Sequence, residues 1–144
     1  MTCRVQLASR KNDTRLSARA IRWWTNSIYS HDELVVDGVC YSSSAMDGGV
    51  RAKVINLNPD KWDVISLPWA DAARVLAHYE KTQDDRYGWL GIIFNQVFNS
   101  GRSFSEAPFC SQWCAAALGI PAARIYNPGT LHAIGLWINE ASWK

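Results

Sequence analysis

A two-residue Asp37-Gly38 step, set between Leu34-Val35-Val36 and Val39-Cys40-Tyr41, constrains this chain more than any other stretch. Both residues tolerate positive φ, which a type I′ turn demands, so the segment from Tyr29 to Ser44 reads as a β-hairpin. With Asp37-Gly38 as the loop, Val36 pairs with Val39, Val35 with Cys40, Glu33 with Ser42 and His31 with Ser44. Side chains alternate along a strand, which puts His31, Glu33, Val35, Cys40, Ser42 and Ser44 on one face. One end of that face therefore gathers an imidazole, a carboxylate and hydroxyls.

A second commitment is made at Phe109-Cys110-Ser111-Gln112-Trp113-Cys114-Ala115-Ala116-Ala117-Leu118-Gly119. Pro108 suits a first helical turn, where a missing N–H is harmless, and Gly119 followed by Pro121 is a stop signal, which predicts a helix from Pro108 to Leu118. Cys110 falls in its opening turn. There the free backbone N–H groups and the positive end of the helix dipole favour thiolate, the nucleophilic form. The competing explanation is that Cys110 packs in a core with Trp113, Cys114, Ala117 and Leu118, since cysteine is among the most buried residue types.

The remaining periodicities supply the frame. Cys3 to Ser9 alternates as a first strand with Val5 and Leu7 on one face, and Arg10 to Asp13 breaks it. From Thr14 to Trp24 the period is helical, capped by Asp13 or Thr14. Arg15, Arg19 and Arg22 form a solvated basic stripe opposite Leu16, Ala20, Ile21, Trp23 and Trp24. Val50 to Leu57 and Trp62 to Leu67 read as further strands, and Pro68 opens a helix to Lys81 whose apolar side is Trp69, Ala72, Ala73, Leu76 and Tyr79. His78 on that helix reads as a surface residue without catalytic weight. A helix over Trp89 to Phe98 and a polar loop over Asn99 to Ala107 lead to Cys110. After it come an extended piece at Arg124-Ile125-Tyr126, a turn at Asn127-Pro128-Gly129-Thr130, with His132 read as a turn residue after Pro128-Gly129, and a closing segment from Leu131 onward. The mixture gives an α+β fold, a small antiparallel sheet packed against helices, as one domain over residues 1–144.

Composition excludes several classes. A chain of 144 residues buries enough surface to dispense with disulfide staples, and its four cysteines, Cys3, Cys40, Cys110 and Cys114, lack framework spacing. With a start that is polar and basic by Arg4, no signal peptide is read, and a reducing, cytoplasmic setting is expected. No apolar run approaches the ~20 residues of a transmembrane helix. A net charge of +2 and the absence of a reader motif predict no nucleic-acid partner. The eight tryptophans suit a cleft or interface. Cys110 and Cys114 lie one helical turn apart and would suit zinc with Cys40 or a histidine, but no second close ligand pair accompanies them, so neither metal nor cofactor is expected.

Four stretches in this order resemble the circularly permuted papain-like amidases and peptidases of the NlpC-type superfamily, in which the His-bearing strand precedes the Cys-bearing helix. They are Val5-Gln6-Leu7-Ala8; Ile21-Arg22-Trp23-Trp24 with Tyr29-Ser30-His31-Asp32-Glu33-Leu34-Val35; Tyr87-Gly88-Trp89-Leu90-Gly91; and Phe109-Cys110-Ser111-Gln112-Trp113 with Ala117-Leu118. The resemblance implies Cys110 as nucleophile, His31 as general base and then acid, and the Cys110 backbone N–H as part of an oxyanion hole. It also implies a third polar group on the strand after the His strand, where Ser44 stands opposite His31; Glu33 and Asp47 are the alternatives. The implied activity is a cysteine-dependent hydrolase or acyltransferase working on an amide or ester carbonyl of a peptide, peptidoglycan fragment or acyl substrate, a type found in phage and bacterial proteins. The alternative is a papain-like module that binds in a tryptophan-rich cleft without turnover.

Overall fold

The computed structural model describes residues 4–44, 47, 49–83 and 107–142. Cys3, the predicted helix over 89–98 and the loop over 99–106 lie outside the described residues. The elements are β1 (Val5–Lys11), α1 (Leu16–Thr25), β2 (Tyr29–Val36), β3 (Val39–Ser44), β4 (Gly49–Lys53), β5 (Trp62–Ser66), α2 (Ala72–Gln83), α3 (Ala107–Leu118), a 3-10 turn (Ala123–Ile125) and α4 (Pro128–Ala141). The strands form one antiparallel sheet in the order β4-β3-β2-β1-β5, and the architecture is α+β.

The hairpin forms as its turn residues require, with φ of 51° at Asp37 and 79° at Gly38. Val36↔Val39, Val35↔Cys40 and Leu34↔Tyr41 are paired as expected, but the ladder ends there. The further pairs Glu33–Ser42 and His31–Ser44 do not form. Instead the Asp32 carbonyl accepts the Ser42 hydroxyl at 2.7 Å and the Cys114 thiol at 3.7 Å, so a helix residue helps to satisfy a strand carbonyl. Beyond that point β3 keeps its pairing with β4, from Cys40↔Lys53 to Ser44↔Gly49.

The two sheet faces differ. Leu7, Leu34, Val36 and Val50 pack with Trp113, Cys114 and Leu118 of α3 and with Val75 and Leu131, whereas Ala8, Val35, Cys40 and Trp62 form a smaller cluster with Ile55 and Leu57. α3 crosses β2 and β3 and touches α2 and α4. It stops where expected, at Gly119 with φ of 79°. Gly135 lets α4 lie close on the sheet, since a Cβ there would stand 3.2 Å from Ile65 Cδ1.

Several boundaries depart from the sequence reading. β1 runs through Arg10 and Lys11 because β2 and β5 pair it on both sides, a tertiary gain that outweighs the weak strand preference of charged residues. β4 ends at Lys53, and Ile55 and Leu57 turn into the smaller cluster. α2 begins at Ala72, where the Asp71 carboxylate accepts the Ala73 N–H at 3.0 Å; it buries Val75 and leaves Ala73 exposed. His78 is half-buried, 5.3 Å ring to ring from Trp113, and not a surface residue.

α1 presents a different stripe from the one expected. Ala18 and Ile21 face inward, while Leu16 is 80% and Trp23 81% exposed. Asp13 holds its start by accepting the Arg15 N–H at 3.0 Å. The stretch after α3 is a 3-10 turn where an extended piece was expected, and the Asn-Pro-Gly-Thr "turn" is the start of α4: the Asn127 side chain accepts from the Thr130 N–H, Thr130 accepts from the Asn127 N–H, and Pro128 occupies the first turn. Among the described residues no helix is long and apolar enough to cross a membrane.

Candidate active site

β2 carries His31 and Glu33 two residues apart on one face, and their side chains meet: His31 Nε2 lies 2.7 Å from Glu33 Oε1. Arg51 of β4 clasps the same carboxylate, with Nη1 donating to Oε2 at 2.7 Å and Nη2 donating to Oε1. Arg51 Nε also donates to Asp47 Oδ2 at 2.8 Å, and Lys53 Nζ donates to that oxygen at 2.9 Å. α3 then brings Cys110 to the histidine, and the thiol and the imidazole interact by hydrogen bond and by charge. With Nε2 committed to Glu33, Nδ1 is the ring nitrogen left for sulfur.

Burial works against a charged imidazole, but the Cys110 sulfur and the Glu33 carboxylate outweigh it and push His31 up to about 10. The ring therefore holds its proton at neutral pH. Burial alone would raise Glu33, yet Arg51 and His31 hold its carboxyl below the ordinary 4.5. His31 keeps 17% side-chain exposure, whereas Cys110 keeps none. A cavity of about 150 Å³ reaches His31, Glu33, Ser44 and Asp47 but not the thiol.

Of the three candidates for the group behind His31, Glu33 is the one bonded to it. Ser44 lines the same cavity without a bond to the ring, because the ladder ends before that register position. Asp47 serves as counter-ion to Arg51 and Lys53. Arg51 was not anticipated. Its signal was a cation alternating within an otherwise strand-like Val50-Arg51-Ala52-Lys53, on the hairpin's next strand.

The other face of β2 holds a second network. Ser9 Oγ donates to Asp32 Oδ1 at 2.7 Å and lies 2.9 Å from His132 Nδ1. His132 Nε2 is 3.4 Å from the Tyr29 hydroxyl, which donates to Asp63 Oδ2 at 2.7 Å, and Lys11 closes the series on Asp63 Oδ1 at 2.7 Å. His132 is thus a buried helix residue, not a turn residue, and burial holds it below its ordinary value. Burial pushes the Asp32 carboxyl up to about 8 against the pull of Ser9 and His31.

Cys40, Cys110 and Cys114 are buried and form no disulfide, and among the described residues no three histidine, cysteine or acidic side chains gather as a metal site. Burial drives the Cys114 thiol well above its ordinary value, which suits a packing residue. Trp62 is the tryptophan among the described residues that walls the cavity by His31. Compared with family models, curated proteins and solved structures, the chain matches none.

Proposed function

We propose that the protein is a cysteine-dependent hydrolase or acyltransferase of the permuted papain-like, NlpC-type kind, with Cys110 as nucleophile, His31 as acid and base, and Glu33 as the group that orients the imidazole. The observation that supports this is a single ring engaged at both ends, by the Cys110 sulfur and by a carboxylate that Arg51 holds in place. An imidazole fixed in that way has one orientation and one proton to exchange with sulfur.

The chemistry follows from those two partners. The Cys110 thiolate attacks the carbonyl carbon of an amide or ester, a C–S bond forms, and the carbonyl electron pair moves to oxygen near the first-turn N–H groups of α3. Collapse expels the amine or alkoxide, which takes the proton from His31. The neutral ring then accepts a proton from water as the water oxygen attacks the thioester, and the acid leaves with thiolate and imidazolium restored. An alcohol or amine in place of water gives acyl transfer. Peptides, peptidoglycan fragments and acyl compounds all offer such a carbonyl.

The full burial of Cys110 favours a second reading, a binding module that no longer turns over. Labelling with iodoacetamide, read at each cysteine by mass spectrometry, separates the two. Catalysis predicts that Cys110 reacts on the order of a hundredfold faster than Cys40 and Cys114, and that His31→Ala removes the preference. Uniformly slow labelling selects the binding module.

A further inference from the structure

The Arg10 side chain stands beside the pair and has no part in the mechanism proposed above. Its strand pairs it with His31 on one side and with Trp62 on the other, and directly opposite residues share a face. The three side chains therefore stand abreast. The Arg10 guanidinium carbon lies 5.5 Å over the Trp62 ring, and the Trp62 and His31 rings meet edge-on at 6.4 Å. All three line the cavity of about 150 Å³ that reaches the imidazole.

The charges around that cavity pair off. Arg15 is bonded to Asp13, Arg51 to Glu33 and Asp47, and Lys53 to Asp47. Among the described residues Arg10 forms no ion pair: it lies only within the field of Asp13, which Arg15 already holds, and its Nε is shielded from solvent with no hydrogen-bond acceptor. A donor withdrawn from water and given no acceptor is an unfavourable state that a ligand oxygen relieves. A guanidinium offers its N–H groups as a planar fork that fits a carboxylate, and the Trp62 face supplies an apolar wall for the attached carbon skeleton.

We propose that the cavity beside His31 binds a small carboxylate, with Arg10 reading its negative charge against the Trp62 wall. A cation without an ion pair of its own suits a carboxylate. The inference rests on the function proposed above only in naming its substrate class, an acyl compound or peptide with a carboxylate close to the reacting carbonyl. Binding itself requires no reactive thiol.

The test is calorimetric titration of the whole chain with N-acetylglycine and with its neutral counterpart N-acetylglycinamide, at low salt. The carboxylate should bind roughly tenfold or more tightly than the amide; Arg10→Gln should abolish that preference and Arg10→Lys retain part of it. In the wild type, the Arg10 Nε–H resonance should move with the carboxylate and stay still with the amide, a readout that needs no variant. Equal binding of both compounds, no binding of either, or a preference kept in full by Arg10→Gln overturns the proposal. An unreactive Cys110 would overturn the catalytic reading alone, since neither titration involves the thiol.

Discussion

Asp32 and Glu33 are neighbours in the chain, both fully buried, and they end in opposite protonation states. Glu33 faces Arg51 and protonated His31, and stays ionised. Asp32, on the other face of the same strand, meets the Ser9 hydroxyl, and its second oxygen finds no partner among the described residues. The histidines follow suit: His31 is pushed up to about 10, whereas burial lowers His132, whose Nδ1 faces the same serine. Equal burial thus gives a charged carboxylate on one side of β2 and a neutral carboxyl on the other, and the number of cations within reach decides which.

Their pH dependences have opposite origins. Between 3.8 and about 8 the folded state holds a proton on Asp32 that the unfolded chain has released, so this group lowers stability as pH rises through that window. Glu33 contributes stability above its ordinary 4.5 and loses it as pH falls through its lowered folded value. The contribution of His31 is complete below 6.5 and is lost as pH climbs through about 10.

The contrast can be broken most severely at Glu33. Glu33→Gln strips a half-buried Arg51 of one of its two carboxylates, the fully buried one, and should lower unfolding free energy by about 3 kcal/mol in urea denaturation. In the same variant the His31 titration, followed by NMR, should fall below about 10, by less than loss of the Cys110 sulfur lowers it; an unmoved titration would mean that Cys110 alone sets it. Ser9→Ala, which takes one hydroxyl from both Asp32 and His132, should cost about 1–3 kcal/mol. Asp32→Asn sharpens the comparison: because the acid is mostly protonated at pH 7, the amide should change stability there by less than ~1 kcal/mol while flattening the decline between pH 4 and 8. The smallest effect is expected at a site with neither burial nor a charge partner, where Leu16→Gln should stay within ~0.5 kcal/mol of wild type.

The candidate site was legible where local rules act alone. Asp37-Gly38 fixed the first three hairpin pairs, period-two alternation put His31 and Glu33 on one face, and Gly119 marked the end of the Cys110 helix. What escaped depended on partners far along the chain. The hairpin register could not reveal that Cys114 would take the Asp32 carbonyl and end the ladder before Ser44. Arg10 looked like a strand breaker because its two pairing partners, His31 and Trp62, are supplied by other strands. Asn127 and Pro128 serve turns and helix starts equally well, and the reciprocal bonds with Thr130 decide for the helix. On α1 the helical period sets Leu16, Ile21 and Trp23 opposite the basic stripe, but the inward face holds Ile21 with the small Ala18 and leaves Leu16 and Trp23 exposed.

The shortened β2–β3 ladder also bears on the order in which the protein is assembled. His31, Glu33 and Arg51 lie on the consecutive strands of one meander, whose short connections close early and locally. Cys110 belongs to α3, far downstream, and the sulfur of Cys114 one turn beyond it takes up the Asp32 carbonyl. A growing chain that has not yet reached α3 therefore holds the residues of the charge clamp without the sulfur that meets His31. The contact between His31 and Cys110 is thus made late, when the docked helix completes the strand it rests on.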